Sequence, residues 1–269
     1  MSSSRTFAVF ARQWFLLKGN PTRISSIIVW IFIDIIQWGF ISKYIGSFGQ
    51  ATFSFITVIL GAIILLGFMT RIQQGLMMGF LEDIWSQNLI NYFASPLSIS
   101  EYLTGLVMAS AVTSMFGFSA MAAAAGVAFG YNIFKIGVMI LPFMFILTVF
   151  GIAVGIFISG VIFRMGTSAE WLAWPIPVFL SIFSGAYYPI ATMPFSLRVF
   201  AKMFPPPYVF ESLREILTTG QFSEQIGYNL VVGTALSFAY LFAMYWFFIK
   251  IYRANLKSGG LVKFNAEGV

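Results

Sequence analysis

Residues 52–70, 102–134, 136–163, 171–197 and 225–249 of this chain carry no Asp, Glu, Lys or Arg, and residues 24–42 carry one, Asp34. A helix needs about 20 apolar residues to cross a hydrocarbon core of about 30 Å. Each charge at the centre of that core costs about 2.5–3.5 kcal/mol on insertion scales. The pattern therefore predicts an all-α membrane protein, a single transmembrane domain over 1–269. Its six transmembrane helices fall at about 24–42, 51–70, 102–130, 136–163, 171–190 and 228–250. At about 1.5 Å per residue, a helix over 102–130 reaches roughly 43 Å, so it tilts, bends or protrudes. Small residues recur every four positions, at Gly126 and Gly130 and at Gly151, Gly155 and Ser159, which predicts close helix packing.

The segments between the runs have their own periods. In 4–18, Phe7, Phe10, Ala11, Trp14 and Leu17 fall on one helical face, with Arg5, Thr6, Arg12 and Gln13 opposite, the pattern of a helix lying in the membrane interface. Arg12 and Lys18 break the apolar stretch that a secretory signal requires. In 71–101, Met77, Leu81, Ile84 and Trp85 form one stripe and Glu82 and Asp83 another. Ser95-Pro96-Leu97 then ends that helix, and Glu101 falls in the first turn of the third span. Such a segment is either an amphipathic connector or an apolar anchor with an acidic rim that docks a cytoplasmic partner. Residues 190–217 are too polar and proline-broken to span, yet too apolar for a free loop. They predict a re-entrant hairpin of two short helices meeting at Pro205-Pro206-Pro207, with a plain surface loop as the alternative. Glu211 and Arg214, three apart, are spaced to pair.

Charge sets the orientation. With both termini inside, the inner segments hold Arg5, Arg12, Lys18, Arg23, Arg71, Arg164, Lys250, Arg253, Lys257 and Lys263, the last four at or beyond the end of span six with the tail 251–269. The outer segments hold Lys43, Lys135, Arg198, Lys202 and Arg214, and short inner loops retain the larger share of Lys and Arg. The net charge of +6 is spread over separate loops and forms no clustered basic face, so nucleic acid is not an expected partner; membrane lipids are.

The composition also limits the chemistry. The chain has no His and no Cys, hence no imidazole base, thiolate nucleophile, soft metal site or disulfide. Only Asp34 and Asp83 are aspartates, too few for a cluster holding magnesium-bound pyrophosphate, and no P-loop motif occurs. No catalytic residue, metal or cofactor is expected on this chain, and an energy source would be another polypeptide. In the first span Trp30, Asp34, Gln37 and Trp38 share a face. An ionisable group at that depth faces either a translocation path or a neighbouring helix.

The whole chain resembles the membrane (permease) subunit of type-2 ATP-binding-cassette exporters. The interfacial helix, the six spans, the long second inner segment and the broken hairpin before the last span carry the resemblance. Residues 96–105, PLSISEYLTG, are similar to that family's pattern at Pro96, Ser98, Glu101 and Gly105, although Leu106 stands where a basic residue is common. Residues 189–214 are similar to its proline-spaced hairpin at Pro189, Pro194, Pro207, Tyr208, Glu211 and Arg214. The resemblance implies a multi-pass subunit of a plasma membrane of bacterial inner-membrane type, with both termini cytoplasmic. It would pair with a second permease subunit, the same chain or a homologous one, and with cytoplasmic P-loop ATPases that bind ATP and magnesium. Coupling would run through Leu81, Glu82, Asp83, Ile84, Trp85, Pro96 and Glu101, and the hairpin residues would form an outer gate. Two other classes fit the composition: a membrane scaffold or assembly protein without transport, and an enzyme using Asp34 as a lone acid.

Overall fold

The structure, a computed structural model, describes residues 2–47, 53–166, 169, 171 and 174–258. The elements described are helical throughout. Helix α1 spans Ser3–Lys18, α2 Pro21–Ser47, α3 Phe53–Trp85, α4 Leu89–Ala94 and α5 Ile99–Phe129. A short 3-10 turn at Ile133–Met139 leads into α6, Ile140–Met165. Helix α7 spans Pro175–Phe183, α8 Phe195–Ala201, α9 Pro206–Thr219 and α10 Glu224–Ser258. Five helices among the described residues are long and apolar enough to cross a membrane: α2, α3, α5, α6 with its leading turn, and α10.

The second expected span, 51–70, is part of a longer element: α3 continues unbroken from Phe53 to Trp85, so Arg71 lies inside a helix and does not begin an inner loop. Nothing in 71–85 can stop a helix, since no proline occurs and the glycines are isolated. The fifth, 171–190, has nine helical residues in α7 followed by bends at 184–188, with residues 172 and 173 outside the described set. Nine residues rise only about 13 Å. Of the expected tail, residues 259–269 also lie outside the described residues.

Helix α3 is the axis. It packs against α2, α5 and α6, and α6 packs in turn along α10. A Cβ at Gly151 would sit 3.0 Å from the Met69 carbonyl oxygen, and one at Gly155 would sit 2.8 Å from the Leu76 Cβ, so these glycines admit α3 to α6. Gly126 and Gly130 do something else, closing the end of α5, with Gly130 at φ 65°.

Direction follows from the contacts between helix ends. The Asn255 side-chain amide donates to the Phe163 carbonyl at 2.8 Å, and Phe163 stacks on Phe248 with centroids 6.1 Å apart. Near the opposite end, the Ser237 hydroxyl donates to the Ile146 carbonyl at 3.2 Å. Helices α6 and α10 are therefore parallel, and the chain between Met165 and Glu224 returns across the length of the bundle.

Candidate functional site

Charged and polar side chains gather at three places: one end of the bundle, its middle, and the opposite end.

At the first end, α1 lies across α3 and α5 with the inverse of a soluble helix's polarity. Its buried residues are Thr6, Val9 and Gln13, while Phe7 and Phe15 are more than half exposed. The polar face is spent on protein. Arg12 pairs with Asp83, which is fully buried and also accepts from the Tyr102 hydroxyl at 2.6 Å. The Arg12 guanidinium lies 5.4 Å from the Tyr92 ring, and burial pushes the Tyr92 phenol up to about 12. Arg23 of α2 pairs with Glu82. Glu101 is buried: it accepts from the backbone N–H of Ser2 and from that of Ser98 at 2.9 Å, and Arg5 lies 3.9 Å away. The Ser98 hydroxyl accepts from the Glu101 N–H, completing a capping box at the start of α5. Gly105 makes the crossing possible, because a Cβ there would be 2.6 Å from the Val9 Cβ.

This geometry corrects the reading of 77–85 as a displayed docking stripe. Met77, Leu81 and Ile84 are buried in the chain's own core, and Phe80 beside them packs edge-on to Phe163 and Phe248 at 5.6 and 5.9 Å. Glu82 and Asp83 are not a solvated rim, since both are committed to arginines of α1 and α2. Helical spacing locates an apolar face but does not say whether the chain itself covers it. Trp85 remains 49% exposed, and with Ser86, Gln87, Asn91 and Pro96 it forms the open surface around α4. Gln87 takes φ 56°, turning the chain sharply between α3 and α4.

In the middle, Asp34 approaches Arg71, with Oδ2 3.9 Å from Nη2. Arg23 and Asp34 are eleven positions apart, as are Arg71 and Glu82, so the antiparallel α2 and α3 stay in register over about 16 Å between the two pairs. Trp38 stacks on Tyr187 at 4.6 Å, joining α2 to the bends after α7. Gln37 and Trp30 are exposed, Trp30 at 61%, so the expected four-residue face is divided. Asp34 and Trp38 meet other elements, while Trp30 and Gln37 are exposed.

At the far end, the proline segment forms the two short helices α8 and α9. Helix α9 begins at Pro206, earlier than an extended proline run predicts, with Pro205 itself in the right-handed helical region. Prolines fit a first turn because its N–H groups have no intrahelical acceptor. Pro189 and Pro194 precede the 3-10 turn Ile190–Thr192 and α8. Glu211 accepts from the Ile190 N–H at 2.9 Å and from Arg214 at 3.1 Å, and Arg214 donates to the Gly185 carbonyl at 2.9 Å. Burial pushes the Arg214 guanidinium below its ordinary range, an effect that Glu211 opposes. The Tyr208 hydroxyl donates to the Lys202 carbonyl at 2.9 Å. Asn229 of α10 donates to Ser212 at 3.0 Å and accepts from Gln225 at 3.1 Å. A polar cleft of about 600 Å³ opens between these helices, with Arg198, Lys202, Glu215 and Tyr228 on its walls.

Sequence reasoning missed Arg12, Tyr102 and Arg71 as partners of the two aspartates. Their signal was slight: each is one polar residue within or beside an apolar run. Among the described residues no cluster of His, Cys, Asp and Glu is suited to a metal. In comparisons with known proteins, no family model matches the chain and no curated protein matches it.

Proposed function

We propose that this chain is the membrane subunit of an ATP-binding-cassette exporter of the type-2 class. Two such subunits would enclose a pathway, with separate P-loop ATPases beneath them that carry ATP and magnesium. The observation that carries the reading is the parallel course of α6 and α10, with a proline-broken return between them. In this reading the return makes a sixth crossing through α7 and its bends, with the α8–α9 hairpin at the opposite end from α1 and α4. Helix α1 and the end of α10 sit at one end, which supports both termini on the cytoplasmic side of a plasma membrane.

In this arrangement α4 and the exposed surface around Trp85, Asn91 and Pro96 meet the ATPase. Glu82, Asp83, Leu81 and Ile84 act behind that surface, as the joint that ties it to α1, α2 and the core. Pro189, Pro194, Pro207, Tyr208, Glu211 and Arg214 shape the outer hairpin. The cargo is an amphiphile, lipidic or glycan-bearing, and the chain performs no chemistry on it. Coupling needs an element with two arrangements that both nucleotide and cargo bias.

The test is whether a P-loop ATPase co-purifies with this chain, followed by reconstitution of the two. The complex should hydrolyse ATP at a rate that changes when the membrane subunit is present, and vesicles should accumulate cargo only with ATP. A chain that binds no ATPase yet supports assembly of other membrane proteins would be a scaffold.

A further inference from the structure

Arg71 is 14% exposed in its side chain, and its guanidinium carries five N–H donors. Among the described residues its guanidinium has the Met121 thioether 3.5 Å from Nη2 and Asp34 Oδ2 at 3.9 Å; Nε is buried without a partner. A well-made Arg–carboxylate contact runs at about 2.7–2.9 Å and often uses two parallel bonds. Asp34 therefore offsets the charge without taking the hydrogen bonds. The stem, meanwhile, is held: a Cβ at Gly117 would lie 2.5 Å from the Arg71 Cδ, so the arginine rests in a groove that only glycine leaves open.

A largely buried guanidinium whose Nε lacks a partner has an explanation to find. Asp34 is 40% exposed in its side chain, so the gap between the two groups is reachable from the α2 surface, where Trp30, one turn before Asp34 on the same face, is 61% exposed. That indole suits an alkyl chain, and the planar fork of Arg71 suits phosphate oxygens. A carboxylate ligand would only repeat what Asp34 offers. A phosphate brings three acceptor oxygens and up to one more negative charge.

We infer that Arg71 is the anion-binding residue of a site for a phosphate-bearing head group on an amphiphile, with Asp34 as the counter-ion that the head group displaces. The inference deepens the exporter reading by naming the chemistry of its cargo, and it rests on that reading only for what happens to the ligand after binding. The displacement gives the two residues opposite signs: removing the Arg71 charge weakens binding, and removing the Asp34 charge strengthens it.

The experiment titrates dodecyl phosphate into the purified full chain in nonionic detergent, followed by tryptophan fluorescence, with dodecanol and inorganic phosphate as parallel probes. Arg71→Gln should weaken dodecyl phosphate binding at least tenfold, Asp34→Asn should tighten it at least threefold, and dodecanol should bind neither variant preferentially. If both substitutions weaken binding, or neither changes it, the pair is a structural tie and the inference is overturned. Should Arg71→Gln fail to fold, Asp34→Asn decides alone, and anything but tighter binding overturns the site. Inorganic phosphate binding as tightly as dodecyl phosphate would overturn the lipid source while upholding the anion site. No ATPase takes part, so a failed exporter reading leaves the titration intact, and a failed titration leaves an exporter of some other cargo.

Discussion

The Tyr102 hydroxyl donates to Asp83 at 2.6 Å, on the side of the carboxylate opposite Arg12. A fully buried aspartate thus has one charged and one neutral partner, on two different helices. Removing one partner of a buried pair costs about 3–5 kcal/mol, because the other charge is left uncompensated. Arg12→Ala should therefore destabilise the detergent-solubilised chain by about that much, and Arg12→Ala with Asp83→Asn by clearly less. Thermal unfolding of the two variants measures the difference; equal losses would mean that Asp83 draws its stability from Tyr102 alone.

Charge reversal at Glu82 and Asp83 is a poor probe of partner docking, since it also breaks the pairs to Arg23 and Arg12. The open surface is the better target. Trp85→Ala with Asn91→Arg should reduce ATPase co-purification several-fold while leaving the melting temperature within a few degrees of the parent. Full retention of the ATPase would place its docking site elsewhere.

Gly105→Val should lift α1 from α5, because even a single Cβ there meets Val9 at 2.6 Å and the Thr6 carbonyl oxygen at 2.9 Å. Overpacking of this kind costs about 1–3 kcal/mol. Limited proteolysis should then cut within Ser3–Lys18 sooner than in the parent, and an unchanged cleavage pattern would show that α1 can shift without cost.

Glu211 joins Ile190, Arg214 and, through Arg214, Gly185, so Glu211→Gln should loosen the turn before α8. Hydrogen bonds to charged groups contribute about 1.5–3 kcal/mol each. The chain has no native cysteine, so single cysteines at Phe195 or Met203, both exposed, allow two copies to be crosslinked through the hairpin. Complete crosslinking should stop export and spare ATPase binding. Export at the normal rate under those conditions would make the hairpin a fixed cap.

How much of this was legible depended on the range of the interaction. Charge-free runs and the proline spacing located α2, α5, α6, α10 and the two short helices of the proline segment, because those features are local in sequence. The place of Glu101 in the first turn of α5 was readable for the same reason, and the structure adds its capping box with Ser98. The end of α3 was not: the apolar run stops at Arg71 but the helix does not, since helix formation depends on backbone hydrogen bonds and a charge ends only the greasy stretch. The roles of Arg12 and Arg71 left only a slight signal, as their acids lie 71 and 37 positions away along the chain, counting from Arg12 to Asp83 and from Asp34 to Arg71. A stripe such as Met77, Leu81 and Ile84 reads the same whether it faces a partner or its own core.

Helix α1 keeps Phe7 and Phe15 outward while Thr6 and Gln13 turn inward. In a bilayer that sidedness would make it a float, with its greasy flank in the acyl boundary and its polar flank riveted to the bundle. One end of the protein is then held at a set depth, and any thinning or thickening of the lipid must be taken up at the other end. The proline-jointed α8 and α9 lie there, so they are the segment on which bilayer thickness would act.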